Sequence, residues 1–234
     1  MLYIIGLGLN VDGISTYGLA VAKKCKKVYL ENYTVDFPYS FEELQHFIDK
    51  KIIPADREKV EGLSLIDEAK YMDVALLVYG SPLTATTHIT LLQEAKNCGV
   101  RCKVIYAASV FDAVAETGLQ LYKFGKIASI PGFEADSFGK IIQENLSINS
   151  HSLILADIGM ELIEAIEQLE KAVEKHKVKL DKIILCSQLG TKHSKIYYGN
   201  LEELKELKGI KKPYCIIIPG KLHFLEKEVL EDFT

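Results

Sequence analysis

VALLVYGSPLTATTHITLL, residues 74–92, decides how the rest of the chain is read. The run from Val74 to Tyr79 is apolar without alternation. That pattern marks a strand buried on both faces, the habit of parallel strands covered by helices. The run stops at Gly80, Ser81 and Pro82 and passes through small residues into a helical pattern. Glycine leaves the backbone approachable, Pro82 fixes a turn, and Ser81 and Thr84 can donate or accept hydrogen bonds. A bare structural turn and a binding loop fit this segment equally well.

Working outward, LYIIG (2–6), KVYLE (27–31) and KVIYA (103–107) are strands of the same kind, with helical periodicity over 13–25, 57–70 and 86–97 between them. Strands alternating with helices predict a mostly parallel sheet. From about Ala113 the rhythm loosens into KIASIP (126–131), SLILAD (152–157), KIILCSQ (182–188), KIYYG (195–199) and YCIIIPG (214–220), with a helix over 160–176. KIYYG follows KIILCSQ too closely for a helical crossover, so those two should pair antiparallel. KHKVKLDK (175–182) reads as a solvated helix end and loop. The fold class is α/β in two α/β domains, residues 1–112 and 113–234, the second with a mixed sheet.

At 234 residues and 48% hydrophobic content, the chain is long enough for such cores. Its net charge of -4, with Arg57 and Arg101 as the only arginines, provides no basic stripe, so no nucleic acid partner is expected. MLYIIGLGLNVDG at the amino terminus lacks the pattern of a signal peptide, and no apolar run approaches the roughly 18 residues of a membrane span. A cytoplasmic protein without a membrane partner is the expectation. Cys25, Cys98, Cys102, Cys186 and Cys215 show no C-x-x-C spacing and read as reduced, buried thiols, with Cys98 and Cys102 flanking a short turn. The histidines at 46, 88, 151, 176, 193 and 223 are isolated from one another, so each reads as a surface or core residue and no metal is expected. There is no G-x-S-x-G elbow and no Walker loop. An enzyme built this way works by binding and alignment.

Ligands of α/β sheets bind beyond the carboxyl ends of strands. Besides Gly80–Thr84, two ends are unusual. GLGLN (6–10) has the Gly-x-Gly of a dinucleotide loop, but the third glycine should fall at Val11, and Asp12 would set a negative charge near the phosphates. What remains is a glycine-rich end that a flat, uncharged or cationic ligand could approach. YAASVFDA (106–113) sets Ala107, Ala108 and Ser109 where a helix is expected to begin.

GLGLNVDGIST, KKVYLENYT, GSPLTATTH, ETGLQLYKFGKIASIP and IIIPGKLHFLE, in this order across the whole chain, resemble the diphthine synthases, a branch of the tetrapyrrole methyltransferase fold family. TGLQLYKFG, ATTH and PGKLH narrow the resemblance to that branch. It implies S-adenosylmethionine in a cleft between the two domains, a homodimer, and methylation of the amino nitrogen of a modified histidine on translation elongation factor 2, a step toward diphthamide. By motif, the implied cofactor contacts are Leu9, Ser81, Thr84, Ser109, Val110, Ala156, Leu189 and Tyr214; no catalytic side chain is implied. The family pattern has an acid where Ser81 stands, an asparagine at Ala108 and a histidine at Tyr214. The lost acid removes a charge that could pair with the cofactor's amino group or sulfonium.

The attacking amine needs a free lone pair, and a partly apolar cleft would lower its pKa by disfavouring the ammonium form. Lys221 is a candidate to steer the acceptor's carboxylate, and His88 and His223 are either site residues or partners of local hydrogen bonds. Two other functions stay open: a methyltransferase acting on a small ring such as a porphyrin precursor, and a docking module on the translation factor with little or no catalysis.

Overall fold

The computed structural model describes Met1–Thr234. It divides into two compact units, Met1–Val110 and Phe111–Thr234.

In the first unit β1 (Leu2–Gly6), β2 (Lys27–Glu31), β3 (Ile53–Ala55), β4 (Val74–Val78) and β5 (Cys102–Ile105) form one sheet in the order β3-β2-β4-β1-β5. Every neighbouring pair is parallel, as the apolar runs predict. Side chains alternate between two cores. Leu2, Ile4, Val74, Leu76 and Val78 pack with α4 (Ser64–Ala69) and α5 (Ile89–Asn97). Ile5, Val28, Leu30, Ala75 and Leu77 pack with α1 (Thr16–Lys24) and α2 (Phe41–Ile48). A strand buried on both faces has no polar face to show, which is why VALLV lacks alternation.

Three local features differ from the sequence reading. The helix expected over 57–70 is two, α3 (Arg57–Glu61) and α4, because Gly62 ends the first. The helix α2 and strand β3 were not foreseen. α2 is announced by a capping box, the Ser40 hydroxyl accepting from the Glu43 amide and the Glu43 carboxylate accepting from the Ser40 amide. β3 is three residues long with Pro54 in its middle, tolerated because β3 is an edge strand. Cys98 and Cys102 are only half-buried, whereas Cys25, Cys186 and Cys215 are buried thiols.

The short α6 (Val110–Ala113) crosses the boundary and starts later than Ala107. In the second unit β6 (Ala128–Ile130), β7 (Ser152–Ala156), β8 (Ile183–Ser187), β9 (Lys195–Gly199) and β10 (Tyr214–Ile218) form a sheet ordered β6-β7-β10-β8-β9. β6 and β7 are parallel, and the other pairs, β8 with β9 included, are antiparallel, so the sheet is mixed as predicted. α7 (Ser137–Ser147) and α8 (Leu162–Lys175) cover one face through Phe138, Ile142, Ile166 and Leu169 against Ile154, Leu185 and Ile216. α9 (Leu201–Lys205) follows β9, and α10 (Phe224–Glu231) follows β10. No helix is long and apolar enough to cross a membrane.

Candidate functional site

The strand order sets β4, β1 and β5 side by side, so the three unusual strand ends lie next to one another. The Gly8 amide donates to the Gly80 carbonyl at 3.1 Å, and the Gly80 amide returns the bond to Gly8 at 2.9 Å. Both glycines are left-handed, with φ of 71° and 67°, a conformation that costs a side-chain-bearing residue about 1–2 kcal/mol. Gly6 lies beneath this exchange. A Cβ there would stand 2.6 Å from the Gly80 carbonyl oxygen and 3.0 Å from both Ala107 Cβ and Pro82 Cδ. Residues 74 and 101 positions away in sequence, Gly80 and Ala107, therefore close on Gly6, and only glycine fits.

Five of the eight predicted contacts belong to this place. Leu9 is buried, and its carbonyl accepts from Tyr79 Oη at 3.1 Å. Ser81 and Thr84 are half-buried, and the Thr84 amide closes a turn onto the Ser81 carbonyl at 3.1 Å. Ser109 is buried and Val110 half-buried. A Cβ added to Gly80 would meet the Ala108 carbonyl and Ser109 Cα at 3.8 Å, ordinary contact distance, so the strand ends of β4 and β5 are spaced by about one small group. The walls are backbone and small side chains, which suits an uncharged or cationic ligand better than a phosphate.

The other three contacts share one end of the second unit's sheet. Tyr214 is opposite Ser187, Cys215 is opposite Leu155, and the Gln188 amide donates to the Pro213 carbonyl at 2.8 Å. This register brings the end of β7 at Ala156, the start of β10 at Tyr214 and the turn carrying Leu189 together. The Tyr214 ring belongs to the core, and its hydroxyl donates to the Met160 carbonyl at 3.2 Å. Gln188, unnoticed in the sequence, has a left-handed φ of 51° and a buried Oε1 with no donor, while its Nε2 donates to the Lys212 carbonyl at 2.8 Å. A buried acceptor left without a donor costs about 1–3 kcal/mol. Together these features make an apolar sheet end with one unmatched acceptor beside Leu189.

PGKLH, at the far end of β10, has a different setting. Ser152 pairs with Ile218, so this loop and His151 lie at the opposite end of the sheet from Tyr214. A five-residue strand puts roughly 15 Å between the two ends. The exposed Lys221 is thus far from Ala156, Leu189 and Tyr214, and the steering role expected of it finds no support in this unit. His223 caps α10, its Nδ1 accepting from the Leu225 amide at 3.4 Å.

What holds PGKLH is a buried ionic cluster that spacing rules missed. Glu226 is 1% and His151 0% exposed. Glu226 accepts from the amides of Gln120 at 3.0 Å and His223 at 2.7 Å, from His151 Nε2 at 3.2 Å and from the Lys123 ammonium. Lys123 also donates to the Lys221 carbonyl at 2.8 Å. The Gly220 amide donates to His151 Nδ1 at 2.9 Å, which makes Nδ1 the acceptor and leaves the proton on Nε2, facing Glu226. Burial alone would raise the Glu226 pKa. The His223 amide, Lys123, the Gln120 amide and His151 outweigh it and hold the carboxyl at about 2. Burial pushes His151 below its ordinary value against the pull of Glu226. TGLQLYKFG and PGKLH, separate in sequence, are thereby one structural unit.

The chain matches the family model of tetrapyrrole (corrin/porphyrin) methylases over residues 1–205. It is 36% identical over 249 residues to the diphthine synthase of Methanococcus maripaludis, covering 99% of this chain and 98% of that protein. It is 38% identical over 269 residues to an Arabidopsis thaliana protein named "Probable diphthine methyl ester synthase", covering 99% and 97%. A crystal structure of diphthine synthase superposes with a TM-score of 0.91 at 34% identity, covering 100% of this chain and 95% of that one.

Proposed function

This chain belongs to the diphthine synthases, methyltransferases of the tetrapyrrole methylase family, and we propose that it moves methyl groups from S-adenosylmethionine to the amino nitrogen of the modified histidine of translation elongation factor 2. The observation that carries the reading is the closure of three strand ends over Gly6, where small walls and the Ser81 and Thr84 hydroxyls replace a phosphate-binding loop. The cofactor would supply a sulfonium-bound methyl group: the amine lone pair would form the new N–C bond as the S–C bond breaks and S-adenosylhomocysteine leaves, with no covalent enzyme intermediate.

The chain's own contribution is alignment, which supplies several kcal/mol when reacting atoms are held at about 3 Å. The Ser81 and Thr84 hydroxyls offer hydrogen bonds to the cofactor, and Leu9, Ser109 and Val110 offer backbone and apolar contact. In the second unit, Ala156 is half-buried and offers apolar contact, with Leu189 and Tyr214 buried beside it. An uncharged residue at position 81 leaves backbone carbonyls and hydroxyls as the recognition groups. An acceptor amine held against such apolar walls loses its proton more readily than in water. Cytoplasmic residence and a homodimer complete the proposal. Relatives spanning nearly the full chain favour this protein acceptor over a small ring or a non-catalytic docking role.

The Arabidopsis relative's name supports a second reading, in which the acceptor's carboxylate is methylated as well. One experiment addresses both. Purified protein is titrated calorimetrically with S-adenosylhomocysteine, with NAD as control, and then incubated with S-adenosylmethionine and the modified factor. Saturable binding of S-adenosylhomocysteine alone, followed by alkali-stable mass gain on the factor, supports amine methylation. Alkali-labile gain adds the ester. Absence of both binding and transfer refutes the proposal.

A further inference from the structure

We propose that His88 is a positioning residue for the methyl-donor loop, an inference that rests on the methyltransferase reading above. His88 is 2% exposed and stands at the N-cap position of α5, yet its side chain makes no capping bond. The ring is turned back instead, with Nδ1 3.1 Å from the Pro82 carbonyl oxygen. Thr86 Oγ1 donates to that same oxygen at 3.0 Å, and the His88 amide donates to Thr86 Oγ1 at 3.4 Å. Both acceptor sites of one carbonyl are thus taken by residues four and six positions later. Residues 82–88 are closed into a ring.

The ring carries strain. Ala85, at its far side, has a φ of 54°, left-handed for a residue with a Cβ. Such a conformation persists where the surrounding bonds over-determine it, and here those are the two bonds to Pro82. Pro82 is also the residue whose ring lies against Gly6, so the clamp ties the loop to the floor of the site. The Ser81 and Thr84 hydroxyls are left out of the clamp and free for a ligand. His88 serves neither helix capping nor solvent contact; its ring fixes the loop in the form that displays those hydroxyls.

Asparagine can place its amide nitrogen near the position of histidine Nδ1, whereas alanine cannot. Binding of S-adenosylhomocysteine by calorimetry and amide exchange over residues 80–88 in the ligand-free protein are measured for wild type, His88→Ala and His88→Asn. The expected result is about tenfold weaker binding and faster exchange in His88→Ala, matching the loss of roughly one net hydrogen bond plus loop order, with His88→Asn near wild type. In turnover, the KM for the methyl donor should rise while that for the acceptor stays. A folded His88→Ala protein with unchanged affinity and exchange overturns the inference. If His88→Ala fails to fold, Thr86→Val removes the companion bond and must weaken binding in the same direction, or the inference falls. Failure of the wild type to bind would sink the proposed function instead, and the exchange data would still report on the clamp.

Discussion

Replacing Glu226 with glutamine keeps the side chain's shape and removes its charge, so it isolates what the buried carboxylate contributes. Four donors converge on it, from Gln120, His223, His151 and Lys123. A glutamine amide has one oxygen for them, and its NH2 would face a donor that has nowhere else to go. The gap between the ordinary carboxyl value of 4.5 and about 2, at about 1.4 kcal/mol per pH unit, corresponds to about 3 kcal/mol at neutral pH. That sits at the low end of the roughly 3–5 kcal/mol cost of breaking a buried ion pair. At about 2–4 °C per kcal/mol, Glu226→Gln should lower the melting temperature by about 6–12 °C.

The sign of the pH dependence follows from the same shift. Because folding depresses the Glu226 pKa, its contribution is present above 4.5 and is lost as pH falls toward about 2. The gap between wild type and Glu226→Gln should therefore be widest near neutrality and close across that window. His151 acts earlier. Its folded pKa lies below 6.5, so wild type already begins to lose stability as pH drops below 6.5, when the unfolded imidazole takes up a proton that the buried ring resists. Calorimetric melting from neutral pH to about pH 3 reads both effects. A neutral-pH drop under about 2 °C, or a gap that stays constant into acid, would refute the reasoning.

Three substitutions probe the glycine loops. Gly6→Ala sets a Cβ 2.6 Å from the Gly80 carbonyl and should abolish S-adenosylhomocysteine binding even if the chain still folds; calorimetry with circular dichroism as the fold check decides it. Tyr79→Phe removes the hydrogen bond to the Leu9 carbonyl and should cost about 1 kcal/mol of stability, seen in urea unfolding, together with a severalfold loss of cofactor-product affinity. Ser81→Asp supplies the acid that the resemblance leads one to expect at this position. It should tighten S-adenosylmethionine more than S-adenosylhomocysteine, since only the former is a sulfonium, and equal change in both would argue that position 81 does not face the sulfur.

What was legible in the sequence was local. VALLVY announces a strand buried on both faces because nothing polar interrupts it, and Gly80, Ser81 and Pro82 announce a turn because their backbone chemistry is their own. The closure over Gly6 needs more, since it depends on β4 pairing with β1 and β1 with β5, which no short motif encodes. His151 shows the limit most plainly. Reading histidines by spacing leaves it isolated, yet its partner Glu226 is 75 residues away. A fully buried imidazole and carboxylate are recognisable only once β7 and the start of α10 are brought together. β3 escaped for the opposite reason: Pro54 makes a short edge strand look like a loop.

The departures at Ser81 and Tyr214 have a joint consequence. Both put a residue without a carboxylate or imidazole where the resemblance expects one, and Tyr214 donates its hydroxyl to the Met160 carbonyl inside the core. Recognition in the proposed site then depends on hydroxyls, carbonyls and apolar walls, none of which change charge between about pH 6 and 8. Stability, by contrast, depends on His151 and Glu226 at the opposite end of the second sheet from Tyr214. Cofactor-product affinity should therefore stay flat from about pH 6 to 8 while the melting temperature falls on the acid side. Affinity that follows a single ionisation in that range would place an unrecognised titrating group at the site and break the separation between the part that binds and the part that holds the fold.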